Sequence, residues 1–252
     1  MTRAVVVTGA SSGIGRASAR RLAAGGFAVL AVGRDKAALD AVCAAIGAAG
    51  GRAEALVADV TSADAPDRIV SRVEAAFGGL DALVSAAGVI ASGGVAETSD
   101  EVWDTMMNVN ARAPFRLLRA VVPALTRRKG AVVNVSSVNG LRAFAGVTAY
   151  CVSKAAVDHL TRCAALDLAP AGVRVNAVNP GVTVTNLHRR SGMDEDRYAA
   201  FLERSKSTHP LGRPGTPEEI ADLIAFLVSP QAGWITGETI AIDGGRHLTC
   251  LR

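Results

Sequence analysis

The chain has 252 residues, 50% hydrophobic and 20% charged, enough for one large core in a length that α/β folds often use as a single domain. A formal charge of +4 raises the question of nucleic acid, but Arg127-Arg128-Lys129 is the only basic triplet and lies at an expected helix end, where cations suit the dipole. No basic stripe with interleaved aromatics occurs, which argues against a nucleic-acid partner.

In chain order, Met1-Thr2-Arg3 leads directly into Ala4-Val5-Val6-Val7, an apolar β-branched run that reads as a buried strand. No signal peptide is expected, and the location expected is cytoplasmic. The strand runs into Thr8-Gly9-Ala10-Ser11-Ser12-Gly13-Ile14-Gly15, and residues 16–24 read as a helix. Strand, glycine turn and helix together make a phosphate site: glycines let backbone approach a pyrophosphate, and the helix N-terminus offers free N–H groups. The spacing is G-x-x-x-G-x-G, not the G-x-G-x-x-G of the common dinucleotide motif.

Further strands are expected at residues 27–32, 53–58, 82–85, 131–135, 174–178 and 239–242. Helices fall between them, including a long one over 102–127 and another over 150–169. This alternation predicts an α/β, Rossmann-type doubly wound parallel sheet of about seven strands with helices on both faces, in one domain spanning residues 1–252. Residues 181–215 form the one long irregular region, with a short helix expected at 194–206. Insertions of this kind are commonly lids, so a substrate cover is expected at about 185–212. The longest apolar stretch, residues 22–33, is too short to span a bilayer, so no membrane partner is expected. The cysteines Cys43, Cys151, Cys163 and Cys250 form no C-x-x-C pair; reduced thiols and no metal site are expected.

Tyr150 and Lys154 carry the chemistry. Four apart, they share a helix face. A phenol titrates too high for proton transfer at neutral pH, and an ammonium one turn away is expected to lower it, making the tyrosine a usable general acid or base.

Thr8-Gly9-x-x-x-Gly13-x-Gly15 with Tyr150-x-x-x-Lys154 resembles the short-chain dehydrogenase/reductase family, over essentially the whole chain. Asp59-Val60 resembles the family's adenine-contacting segment, Asn108-Val109-Asn110 its catalytic asparagine region, and Asn134-Val135-Ser136-Ser137 its serine segment. Asn179-Pro180-Gly181, followed by Thr183 and Thr185, resembles the nicotinamide-contacting loop, and residues 240–245 the closing strand and turn. The resemblance implies catalytic roles for Asn110, Ser137, Tyr150 and Lys154. It implies cofactor contacts from Gly9, Ser11, Ser12, Gly13, Ile14, Gly15, Arg34, Asp59, Val60, Ala87, Gly88, Tyr150, Lys154, Pro180, Gly181, Thr183 and Thr185. One motif departs: Ser85-Ala86-Ala87-Gly88 stands where the family has Asn-Asn-Ala-Gly, and Ser85 is expected to replace part of the lost bracing.

The expected activity is interconversion of a ketone and a secondary alcohol by hydride transfer. Tyr150 would exchange the proton, Ser137 would stabilise the developing oxyanion, Lys154 would hold the nicotinamide ribose, and Asn110 would anchor a relay water. A non-catalytic nucleotide sensor on the same fold is the alternative. Gly33 stands where an NAD-selecting acid would be and Arg34 follows, favouring NADP(H), with NAD(H) possible. Asp35 is expected to cap the next helix, and Arg16 to supplement the phosphate contacts. The substrate is an acyl thioester, steroid, polyol or other ketone, which the sequence does not separate. The expected walls lie at residues 89–94, 139–144 and 185–209. Leu141, Phe144, Leu187, Met193, Tyr198 and Phe201 are candidate apolar contacts; Arg142, His188, Arg189 and Arg190 are candidate anion contacts. Ala113, Leu117, Val121, Val157, Leu160 and Ala164 give the two long helices more than one apolar face. A helix covering a sheet needs one, so subunit pairing is expected, and the resemblance implies a homotetramer.

Overall fold

β1 (Arg3–Thr8) is an unbroken apolar strand buried along its length after Arg3, as a strand covered on both faces must be. It sits near the middle of a seven-stranded sheet of order β3-β2-β1-β4-β5-β6-β7. The others are β2 (Phe27–Gly33), β3 (Ala53–Val57), β4 (Ala82–Ser85), β5 (Ala131–Val135), β6 (Arg174–Pro180) and β7 (Thr239–Ile242). Every pairing is parallel, with Val6 opposite Leu30 on one side and Leu83 on the other. The structure is a computed structural model that describes residues 2–249; the expectations on Met1 and Cys250 lie outside the described residues.

Ten α-helices accompany the strands among the described residues: α1 (Gly13–Ala24), α2 (Lys36–Ala48), α3 (Ala65–Phe77), α4 (Asp100–Met107), α5 (Ala113–Arg128), α6 (Val138–Leu141), α7 (Thr148–Leu168), α8 (Leu187–Arg190), α9 (Glu195–Thr208) and α10 (Pro217–Val228). Alternation along β1 splits the core. Val5 and Val7 pack with Leu22, Leu39, Ile220 and Ile224, from α1, α2 and α10. Ala4 and Val6 pack on the other face with Ile69, Val73, Leu117, Val121 and Ala164, from α3, α5 and α7. The strand order reverses between β1 and β4, so the C-terminal ends of these strands open a crevice there, the usual ligand position in such sheets.

Three readings of the sequence change. The long helix expected over residues 102–127 is broken by a π-helical turn at Asn108–Arg112, with α4 before it and α5 after. Pro114 supplies the reason. An α-helix would pair its N–H with the Asn110 carbonyl, but proline has no N–H and its ring crowds that oxygen. Second, Ala113, Leu117, Val121, Val157 and Ala164 are buried within this chain and form its own core, so of the six residues expected to give a surplus face only Leu160 is half-buried. Third, the buried Ser85 hydroxyl has no hydrogen-bond partner. The bracing at this point comes from Thr8, whose Oγ1 accepts from the N–H groups of Ala86 (3.1 Å) and Ala87 (3.2 Å).

Candidate active site

A cleft of about 420 Å³ runs across the C-terminal ends of the strands. One half is built from backbone. Gly9 has φ +66°, and a Cβ there would lie 2.8 Å from the Ala86 carbonyl oxygen; a Cβ on Gly15 would lie 2.3 Å from the Gly9 oxygen. Glycine is therefore required for the turn to close against the strand and against itself. Ser12 occupies the N-cap of α1 without a side-chain cap, and no acid stands in the first turn. The helix start thus keeps donors and partial positive charge for an anion. Ser11, Ser12, Gly13 and Ile14 line the cleft beside them, followed by Arg34, Asp59, Val60, Ala87 and Gly88.

Arg34 is 73% exposed and stands 3.9 Å from the Asp59 carboxylate. Hydrogen bonds from the Thr61 hydroxyl (2.7 Å) and N–H (2.9 Å) hold Asp59 below the usual carboxylate range. Asp35 caps α2, accepting from the Ala38 N–H at 3.0 Å. Arg16 is exposed and does not line the cleft, contrary to its expected part in phosphate contact.

The centre of the cleft brings together Ser137, Tyr150 and Lys154 with Pro180, Gly181, Thr183 and Thr185. Ser137 follows β5 and caps α6, its Oγ accepting from the Asn139 N–H at 3.2 Å and donating to the Asn139 Oδ1 at 3.2 Å. Tyr150 and Lys154 lie in the first two turns of α7, both buried. Lys154 donates to the Val135 carbonyl at 2.9 Å, with Nζ 5.7 Å from the Tyr150 ring centroid. The expected lowering of the phenol does not follow. Burial pushes Tyr150 up to about 12, opposed by a contact with Ser137. Burial likewise pulls Lys154 down to about 8, opposed by Asp158. Desolvation of the charged form is the largest influence on each group.

Of the residues nominated for catalysis and cofactor contact, Asn110 alone does not line the cleft. Its Oδ1 accepts from the Val89 N–H (2.9 Å), and its Nδ2 donates to the Val89 carbonyl (2.9 Å) and to Ser153 Oγ (3.0 Å). The side chain is therefore spent on bracing, and Pro114, which lacks an N–H, cannot pair with the Asn110 main-chain carbonyl in α-helical register. Proline four residues after the asparagine is the sequence signal for this.

The other half of the cleft is built from side chains: Phe144, Val147, Leu187, His188, Arg190, Phe201 and Arg246. Of the expected contacts, Leu141 and Met193 are not part of the lining. Tyr198 is buried behind it, donating to the Thr185 carbonyl (2.9 Å) and accepting from the Thr185 N–H (3.2 Å). Arg142 reaches the carbonyls of His247 and Thr249. Arg189 pairs with Glu195 at 2.6 Å and lies over the Tyr198 ring. Burial lowers His188, so it is neutral at neutral pH, and it packs on Phe201 with centroids 4.4 Å apart. Arg190 stays with the cleft, and Arg246, which the sequence reading passed over, joins it above the Phe144 ring.

Comparison with known proteins agrees with this architecture. Residues 9–247 match the family model described as enoyl-(acyl carrier protein) reductase. The short-chain reductase protein NovJ of Streptomyces niveus is 42% identical, over 96% of this chain and 92% of its own. The 3-oxoacyl-[acyl-carrier-protein] reductase FabG of Thermotoga maritima is 37% identical, over 95% and 96%. Meso-2,3-butanediol dehydrogenase of Serratia marcescens is 38% identical, over 96% and 94%. A Caenorhabditis elegans short-chain dehydrogenase/reductase solved with cofactor superposes with TM-score 0.92 at 34% identity, covering 98% of this chain and 96% of that one. The protein is thus an α/β oxidoreductase of the nucleotide-crevice type. It belongs to the short-chain dehydrogenase/reductase family, whose members interconvert ketones and alcohols with NAD(P), and nothing found favours a sensor without chemistry.

Proposed function

We propose that the protein is an NADPH-dependent ketone reductase in which Tyr150 gives its proton to the carbonyl oxygen. The observation that carries this is that Tyr150, Ser137 and Lys154 line one cleft, with Ser137 in contact with Tyr150 and Lys154 Nζ 5.7 Å from its ring centroid, and that the same cleft is lined by Gly9, Gly13 and Gly15. A nicotinamide cofactor, when bound, supplies the hydride. Gly9, Gly13, Gly15 and the start of α1 would hold its diphosphate, and Lys154 its nicotinamide ribose. Ser137 hydrogen-bonds the same substrate oxygen as Tyr150 and stabilises its charge. Residues 185–212 cover the substrate. A phenol held near 12 keeps its proton at neutral pH, which supports the reducing direction; an acid must be protonated to donate. The Asn110 carbonyl is the candidate anchor for a water returning the proton to Tyr150.

Arg34 supports NADP(H): it is exposed at the adenosine end, while Asp35 is engaged as a helix cap and does not compete for the ribose. A homotetramer and a cytoplasmic location complete the reading. The assembly would use the exposed Trp103, Phe115 and Val152 on α4, α5 and α7. A panel of aliphatic, aromatic, steroid and thioester-linked ketones with NADPH and NADH tests the reading. At least one ketone should consume NADPH, and NADH should be slower by about tenfold or more. Tight nucleotide binding with no ketone reduced and no alcohol oxidised would sink it.

A further inference from the structure

The buried acid of α7 remains without a role. Asp158 follows Lys154 by four residues and Tyr150 by eight, so all three lie along one helix face. It is 1% exposed, and an isolated carboxylate at such depth is strongly disfavoured. Its partners show what it does. Asn179 Nδ2 donates to both its oxygens, at 3.0 and 2.9 Å, and also to the Ser137 carbonyl at 2.8 Å. The Ser136 hydroxyl donates to the Lys154 carbonyl at 3.1 Å and contacts Asp158. Gly140 of α6 leaves room for the carboxylate: a Cβ there would stand 2.3 Å from Asp158 Oδ2. Asp158 is thus the common anchor of two loops, one presenting Ser137 and the other presenting Pro180 and Gly181.

We propose that Asp158 is a positioning residue: it clamps the Ser137 and Pro180–Gly181 loops onto the helix that carries Tyr150, and it supplies the counter-charge of the Lys154 ammonium. This rests on the reading of Tyr150 and Lys154 as the reacting pair. Burial opposes ionisation of both Asp158 and Lys154. Ser136, Asn179, Arg162 and Lys154 in turn favour the carboxylate, and Asp158 favours the ammonium. The charges bearing on Asp158 are Lys154 and Arg162, both on α7. The residue after β5 and the strand β6 face it with the neutral side chains of Ser136 and Asn179, and α6 with the uncharged Gly140. Arg162 is turned outward to the Thr239 hydroxyl at 2.9 Å. Among the described residues, Asp158 is therefore the carboxylate that offsets the desolvation of Lys154.

The test uses the full-length protein and compares Asp158→Asn with Asn179→Ala. Removing the charge lowers the affinity of Lys154 for its proton. The alkaline limb of kcat/KM for ketone reduction should therefore move down by about one pH unit or more. The loss should be about tenfold or more at alkaline pH and recover at mildly acidic pH. NADPH binding, titrated by fluorescence, should weaken over the same interval. Asn179→Ala keeps the charge and cuts the link to Ser137; it should lower kcat at every pH without moving the limb. A pH-independent loss in Asp158→Asn, with limb and NADPH titration unmoved, would overturn the proposal. Isotope-labelled NMR of the unaltered protein guards against a variant that does not fold: Asp158 should be ionised at neutral pH, and a carboxyl still protonated there would equally overturn it. Failure of the underlying reading looks different, because Tyr150→Phe would then retain turnover.

Discussion

The two halves of the cleft are built from different materials. The nucleotide half is backbone: Gly9 and Gly15 pressed against neighbouring main chain, Thr8 holding the Ala86 and Ala87 amides, and a helix start without a cap. The substrate half is side chain: Phe144, Leu187, His188, Arg190, Phe201 and Arg246 from three separate segments. Backbone constraints admit few substitutions, since an added Cβ at 2.3 Å from a carbonyl oxygen forces the turn apart. Side-chain walls can be exchanged with the fold left intact. The first half accordingly defines what the family shares, and the second is free to select a substrate.

Between the halves lies the proposed reacting pair, and its removal is the most severe test of the division. Tyr150→Phe keeps the ring, its packing and the nucleotide half, and deletes only the proton donor. Ketone reduction should fall by about two to four orders of magnitude, the usual span for a general acid, with the NADPH dissociation constant nearly unchanged. Turnover near the parent rate in steady-state assays would show that another group donates the proton. Next in size is a change within the nucleotide half. Arg34→Asp replaces attraction for a 2′-phosphate with repulsion and places an acid near the ribose. The ratio of kcat/KM for NADPH over NADH should fall by about tenfold or more, equivalent to about 1.4 kcal/mol. A parent enzyme that already prefers NADH would remove Arg34 from cofactor selection.

The same division explains what could be read from the sequence. The strands, the parallel sheet and the nucleotide half follow from local pattern: apolar runs after turns, glycines at set spacing, an acid before α2 whose cap on Ala38 is visible in the structure. The substrate half depends on how distant segments meet, which no local pattern states. Tyr198 looked like a pocket aromatic, yet its hydroxyl turns inward to Thr185, because a buried phenol needs a partner. Arg142 looked like an anion contact but satisfies carbonyls of the C-terminal segment, and Arg246 came from that segment to the cleft. Two further features are legible in the sequence. Pro114 marks the break at Asn110, and the stripe Tyr150, Lys154, Asp158 continues for one more turn than the catalytic motif. The pKa of Tyr150 is not legible, because spacing alone gives the neighbouring ammonium and omits the burial that raises the phenol.

The smallest effect belongs to the substrate half and separates two adjacent arginines. Arg189 is turned away, paired with Glu195 and lying over the Tyr198 ring. Arg190 is exposed and lines the cleft with Arg246. If the ketone carries a carboxylate or phosphate, Arg190→Ala should raise KM for that substrate by about three- to fivefold, in keeping with about 1 kcal/mol for a solvated ion pair. Neutral ketones should be reduced with unchanged KM, and kcat should hold for both, because the arginine would act on binding and not on the reacting oxygen. Added salt should shrink the difference. Arg189→Ala removes no charge from the cleft and should leave the ratio of anionic to neutral KM where it is. Parallel steady-state assays of both variants on paired anionic and neutral ketones decide the matter. An equal response to the two substrates would return Arg190 to the solvated surface and leave Phe144, Leu187 and Phe201 to select a neutral, apolar ketone.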